Sequence, residues 1–264
     1  MKTRIISALI ALPLLFFVLF SGGLILYLAT FAISIVGLYE FYKAFSKTYK
    51  PIVWAGYLMT LALFAGFYVG FGMDYFTMIV TLFMFLLLGL VVFTKATIEN
   101  AMVTFLGFFY VSFSLSHLIL ISDMDNNFFI WYPFIIAFAT DTFAYFTGKL
   151  IGKTKLIPSV SPNKTIEGSL GGIIACLILS FSYALWGKPE FQFFAIFLGL
   201  IGSILSQIGD LIASKIKRIF DIKDFGKIMP GHGGVLDRFD SLIITLPLVY
   251  YFMVLFNYIS GLIG

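Results

Sequence analysis

The sequence predicts an all-α integral membrane protein with about nine transmembrane helices. Three observations carry that expectation. Hydrophobic residues make up 61% of the 264-residue chain and charged residues only 11%, more apolar side chain than a soluble fold of this size encloses. The apolar residues fall in runs close to the roughly 20 residues that a helix needs to cross the hydrocarbon layer. The basic residues gather in alternate connections, the asymmetry that orients multi-span proteins.

The expected spans, in order, are 5–21, 23–43, 52–72, 76–94, 101–122, 128–149, 165–186, 191–215 and 235–257. The first starts with basic residues and an apolar stretch, as a secretory signal does. No A-x-A site follows and further apolar runs come directly after, so it reads as a retained first helix. The breaks hold turn residues or charge: SGG at 21–23, SKTYKP at 46–51, GMD at 72–74, TKATIEN at 94–100, DMDNN at 123–127 and GKPE at 187–190. The shortness of the first break predicts a tight helical hairpin. Two longer loops, 150–164 and 216–234, face the same side.

With the N-terminus in the cytoplasm, sixteen of the 17 Lys and Arg residues fall on the inner side and only Lys188 on the outer. Asp74, Asp123 and Asp125 fall outside. An odd number of spans then puts the C-terminus outside. The chain divides into an apolar region, 1–130 (spans one to five), and a polar-lined region, 131–264 (spans six to nine) with both long loops. In the first region, Glu40 reads as an interfacial partner of Lys43. His117, among Ser112, Ser114 and Ser116, reads as an interfacial or packing residue. The single cysteine, Cys176, excludes an internal disulfide and a cysteine metal cage, and reads as packing.

Carboxylates distinguish the second region. Asp141 precedes Lys149 by eight residues and Asp210 precedes Lys215 by five, which places them about 12 Å and about 7 Å below the inner surface at helical rise. Glu167 opens span seven; Asp237 and Asp240 lie in the first turns of span nine. Each charge costs about 2.5–3.5 kcal/mol at mid-membrane and less near the edge. Salt bridges with nearby lysines account for one or two of them. A divalent cation compensates several at once, and hard oxygen donors without Cys or paired His favour magnesium over zinc. Spacings of three and four put Ser203, Gln207, Asp210, Ser214 and Arg218 on one helix face, Asp141, Tyr145 and Gly148 on another, and Asp237, Asp240, Ser241 and Thr245 on a third. Gly168, Gly171, Gly172 and Ala175 form a small-residue stripe suited to close helix packing, which brings Asp141 and Asp210 together.

The two long loops look built for anions. Ser161, Asn163 and Thr165 are cap-type residues at a helix start, beside Lys164. Gly231, Gly233 and Gly234 free the backbone to present N–H groups. Lys217, Arg218, Lys223 and Lys227 fit either a triphosphate or anionic lipid headgroups. His232, between glycines, fits a phosphate donor, a proton carrier or a plain turn residue. No GxxxxGKS/T, H-E-x-x-H or G-x-S-x-G motif occurs, and no soluble module suggests nucleic-acid binding.

Ser214-x-x-Lys217-Arg218, Lys223-Asp224-x-Gly226 and Pro230-Gly231-His232-Gly233-Gly234-x-x-Asp237-Arg238-x-Asp240-Ser241 together resemble the signature of the phosphatidate cytidylyltransferases, the CDP-diacylglycerol synthases. Asp141-x-x-Ala144-Tyr145-x-x-Gly148 and Ser161-Pro162-Asn163-Lys164-Thr165-x-Glu167-Gly168 resemble further segments of that family. Met229 departs mildly from the pattern, and residues 1–130 resemble the family only in their hydrophobicity. The resemblance implies a magnesium-dependent, inner-membrane enzyme, commonly dimeric, that transfers CMP from CTP to phosphatidic acid and releases pyrophosphate.

Joined to the carboxylate pattern, it suggests that Asp210 and Asp237 ligate one or two divalent cations, a monovalent ion also being possible. Asp141 would be a further ligand or stand behind one. Lys217, Arg218, Lys223 and Arg238 would neutralise CTP phosphates, with Lys227, Gly233 and Gly234 also on the nucleotide and His232 in the catalytic set. Asn163, Lys164 and Thr165 would contact the lipid phosphate or the nucleotide, and Asp240 and Glu167 would orient basic groups. Two other readings remain. A CTP-dependent lipid kinase would release CDP. An ion-coupled transporter would be expected to carry broken helices near the midplane, often in repeated halves, whereas here polar residues lie off-centre in one half.

Overall fold

The structure, a computed structural model, describes residues 2–124, 128–229, 231 and 233–263; the side chains of residues 2–8, 10, 260, 262 and 263 fall outside that description. Ten helices follow one another: α1 Lys2–Ser21, α2 Gly23–Phe45, α3 Val53–Val69, α4 Met73–Phe93, α5 Ile98–Ser122, α6 Tyr132–Ile151, α7 Ile166–Gly187, α8 Gln192–Ile219, the single turn α9 Leu236–Phe239, and α10 Leu242–Ile263. Among the described residues seven helical segments are long and apolar enough to cross a membrane, in α2, α4, α5, α6, α7, α8 and α10. The described apolar stretch of α1, Ala11–Ser21, and α3 are shorter. The chain is an α-helical, multi-span membrane protein.

Local chemistry sets the boundaries. Gly22 and Gly23 turn the chain between α1 and α2 with φ of 59° and 46°, a region that side chains with a Cβ avoid. Gly70 ends α3 in the left-handed conformation, the usual helix stop. Thr97 caps α5 by accepting the Asn100 amide. Within α5 the backbone widens to a π-helical stretch over Phe108–Phe113.

The helical expectation needs two corrections. The loop 150–164 leads into an antiparallel hairpin, β1 Lys155–Ile157 with β2 Ser161–Thr165, too short and polar to show a strand period in the sequence. The last span begins at Leu242, not at 235. Asp240 Oδ1 accepts the amide of Ser241 at 2.8 Å, a local bond that competes with the helical ladder. Asp237 and Asp240 therefore do not share a helix face.

The chain forms two compact units: Met1–Ser116 with Ile219–Arg238, and His117–Arg218 with Phe239–Gly264. In the first, Phe41 stacks on Phe45 at 4.3 Å and the Tyr42 hydroxyl donates to Thr104 O at 2.8 Å. Segment 219–238 is moored to the end of α2: Lys47 Nζ donates to Phe220 O at 2.8 Å and Asp221 O at 3.0 Å, and the Phe45 and Phe220 rings lie 4.4 Å apart. In the second unit α6 and α7 meet through small residues. A Cβ at Gly168 would stand 2.7 Å from Ala144 O, and one at Gly172 the same distance from Thr140 O, so the glycine stripe serves close helix packing. Cys176 is buried, its thiol toward Gly199 O at 3.4 Å. His117 is buried between the rings of Tyr250 and Tyr251.

Candidate active site

In the second unit α6, β2, α7 and α8 enclose an open cavity of about 390 Å³. Helix α6 contributes Asp141, Tyr145 and Gly148 from one face, strand β2 contributes Asn163, Lys164 and Thr165, and α8 contributes Gln207 and Asp210. The helical spacings of the sequence thus converge on one space. Lys164 Nζ pairs with Asp210 Oδ2 at 2.5 Å, both side chains partly exposed. Ser214, one turn on, points its hydroxyl at Asp210 Oδ1 at 3.3 Å. Thr140 donates to Ser203 at 2.9 Å, tying α6 to α8.

Strand β2 is held in place by local chemistry. Thr165 caps α7 by accepting the Gly168 amide at 3.1 Å. Its side chain also fills the space that Gly148 and Gly152 leave open. Glu167 accepts the amides of Lys153 and Thr154, each at 3.1 Å, and Ile166 N returns a bond to Thr154 O at 2.9 Å. The expectation that Glu167 orients basic side chains thus meets a carboxylate that organises backbone.

Asp240 sits in the turn between α9 and α10, outside the spanning helices. Burial, then the charge of Asp210, push its carboxyl up to about 7, with Asp141 adding to the effect and the Ser241 amide opposing it. Ser241 also reaches Asp141. Asp141, Asp210 and Asp240 are thus close enough for their charges to repel. Among the described residues no group of three or more His, Cys, Asp or Glu side chains has metal-holding geometry. Two acidic residues, Asp141 and Asp210, face the cavity. Magnesium commonly takes one or two carboxylates and completes its octahedron with water and substrate phosphate. An all-oxygen donor pair opening on a cavity fits that requirement.

The first unit holds Asp237, Gly233, Gly234, Lys223, Lys227 and Arg238. Asp237 Oδ2 accepts the amides of Phe225 at 2.8 Å and Gly234 at 2.9 Å. Gly233, with φ 85°, bridges to Met229, whose amide donates to Gly233 O at 2.9 Å. Lys223, Lys227 and Arg238 of this segment are exposed. Lys217 and Arg218 belong to the last turn of α8 in the second unit. His232 and Pro230 lie outside the described residues, as does Asp125.

One residue whose main partner the sequence does not reveal is Glu40, although the charge of Lys43 does act on it. Lys43 stands over the Tyr39 ring at 5.6 Å, whereas Glu40 is buried and its Oε2 accepts the Leu236 amide at 2.9 Å. An acid inside an otherwise apolar helix was the available signal; its partner, 196 residues away, was not.

A multi-span helical protein with an acidic, lysine-bridged cavity and a glycine-rich basic loop is the setting of a membrane nucleotidyltransferase. Residues 2–256 match the Cytidylyltransferase family, and the chain belongs to it. It is similar to the phosphatidate cytidylyltransferase of Bacillus subtilis (strain 168), at 35% identity over 97% of this chain and 99% of that one. It is also similar to that of Staphylococcus saprophyticus, at 34% over 94% and 97%. A shorter stretch, 46% of this chain, is 49% identical to the phosphatidate cytidylyltransferase of Staphylococcus aureus (strain COL).

Proposed function

We propose that this cytidylyltransferase transfers CMP from CTP to phosphatidate, giving CDP-diacylglycerol and pyrophosphate. An oxygen of the lipid phosphate forms a bond to the α-phosphorus of CTP. The bond from that phosphorus to the oxygen bridging to the β-phosphate breaks, and its electron pair leaves with pyrophosphate. A phosphate monoester is already ionised near neutral pH, so no general base is required. Catalysis then rests on positioning and charge neutralisation.

Asp141 and Asp210 would hold the cation. A bound magnesium ion supplies charge neutralisation to the triphosphate. Lys164 shares Asp210 with that cation and offers its remaining N–H donors to a phosphate oxygen. Asn163 offers an amide donor from the same strand. Asp240 adds negative charge beside Asp210, which strengthens the demand for a cation there. In the first unit Lys223, Lys227 and Arg238, with the Gly233–Gly234 backbone, supply anion-binding groups, and Lys217 and Arg218 add positive charge at the end of α8. Asp237, expected from the sequence to be a ligand, lies in the first unit, where its Oδ2 holds two loop amides. The enzyme would act as a dimer in the bacterial cell membrane, with the cavity toward the cytoplasm, the N-terminus inside and the C-terminus outside.

The observation that carries this reading is the Lys164–Asp210 pair on the wall of a cavity that Asp141 also lines. Purified protein incubated with CTP, phosphatidate and magnesium is expected to yield pyrophosphate and a CMP-bearing lipid in equal amounts. Release of CDP with a phosphorylated lipid would establish the lipid-kinase reading; ion flux in proteoliposomes without either product would establish the transporter.

A further inference from the structure

Glu40 is an acid near the end of an apolar helix, and it is only 1% exposed. Such a group is sustained only where donors meet it. The donors come from segment 219–238: the Leu236 amide at 2.9 Å, with the Val235 amide adding to it. Its second oxygen, Oε1, has no hydrogen-bond partner among the described residues. Two glycines of the same segment lie flat against the carboxylate, and a Cβ at Gly226 or Gly234 would collide with it. Gly234 in turn donates to Asp237, which also takes the Phe225 amide. Backbone at Phe225, Gly226, Gly234 and Leu236 is therefore folded around two carboxylates, one from its own turn and one from α2.

We propose that Glu40 is a positioning residue for the basic loop. It fixes the turn that begins α9, and it sets the backbone from which Lys227 and Arg238 project. It also explains why positions 226 and 234 carry no side chain: the carboxylate occupies the space that a Cβ needs. Glu40 touches no substrate in this assignment and acts through the loop. The inference rests on the reading that this loop binds the nucleotide's phosphates.

The test measures kcat and separate KM values for CTP and phosphatidate in the purified full-length protein. Glu40→Ala is expected to raise KM for CTP about tenfold, the scale of one lost buried charged hydrogen bond, with KM for phosphatidate within about twofold. Glu40→Gln keeps an acceptor for the Leu236 amide and is expected to restore most of the CTP affinity, a rescue that simple space-filling would not produce. Gly234→Ala is expected to weaken CTP binding alone and to add little in the Glu40→Ala background, where the steric conflict is gone.

Unchanged KM for CTP in Glu40→Ala, equal rises in both KM values, or full additivity of the two substitutions would overturn the assignment. If Glu40→Ala does not fold, Glu40→Gln and Gly226→Ala decide it. A raised KM for CTP in Gly226→Ala with near-normal Glu40→Gln supports it, and any other result overturns it. A Lys223→Ala, Lys227→Ala double variant tests the underlying reading separately. If it leaves KM for CTP unchanged, the loop does not bind the nucleotide, whatever Glu40 does.

Discussion

Two groups of carboxylates occupy this membrane protein, and they are partnered in opposite ways. In the second unit Asp210 faces a cavity and is met by side chains, the Lys164 ammonium and the Ser214 hydroxyl. In the first unit Asp237 and Glu40 are met by backbone amides. A side-chain ion pair that opens on a cavity can exchange one partner for a ligand at modest cost. A buried carboxylate holding main-chain N–H groups cannot, because its departure orphans them. Residue type alone therefore does not separate a ligand-facing acid from one that shapes the chain; the identity of the donor does.

The comparison breaks most readily at Asp210. Asp210→Asn keeps the shape and removes the charge, and we expect kcat to fall about a thousandfold, as for loss of a principal electrostatic group. Folding, followed by thermal unfolding in detergent, should be unaffected. Lys164→Met should cost about a hundredfold in kcat/KM, the scale of a lost charge-assisted contact to a phosphate. Because Lys164 also occupies an Asp210 oxygen, the same variant should bind magnesium more tightly without substrate, which calorimetry would read. Weaker magnesium binding would show that the lysine is not a competitor for that oxygen.

Asp237→Asn sharpens the contrast between the units. If the two loop amides define its role, the remaining amide oxygen accepts them less strongly. The variant then loses about tenfold in activity with a lower unfolding midpoint. If Asp237 instead ligates a metal ion, its loss matches that of Asp210→Asn at an unchanged midpoint. Running both variants side by side separates these outcomes.

The sequence made much of this legible, and the missing parts share one physical cause. Hydropathy located the helices because twenty apolar residues announce themselves locally. The stripe Ser203, Gln207, Asp210, Ser214 and Arg218 was readable from a period of 3.6; of it, Gln207 and Asp210 line the cavity and Ser214 reaches Asp210. The glycines of α7 were readable because close helix packing has its own composition. Long-range partners were not readable. Lys43 was the natural neighbour for Glu40, since only proximity along the chain is visible in a sequence. The break at Asp240 was equally hidden: an acid in the first turn looks like an ordinary helix start until its side chain is seen holding the next amide.

The smallest predicted effect tests whether the cavity's own rim divides along the same line. Thr165 lines the cavity, yet its Oγ1 accepts the Gly168 amide and packs over Gly148 and Gly152. By the rule that backbone donors mark a shaping role, Thr165→Ala should lose about 1 kcal/mol of stability, the usual value of a helix cap. Both KM values should stay within about twofold, and Thr165→Ser should restore the midpoint because it keeps the capping oxygen. A hydroxyl that instead binds a substrate phosphate would leave the midpoint in place and raise one KM. Comparing the unfolding midpoint with the two KM values in these variants distinguishes a cap that happens to border the cavity from a residue that contacts what the cavity holds.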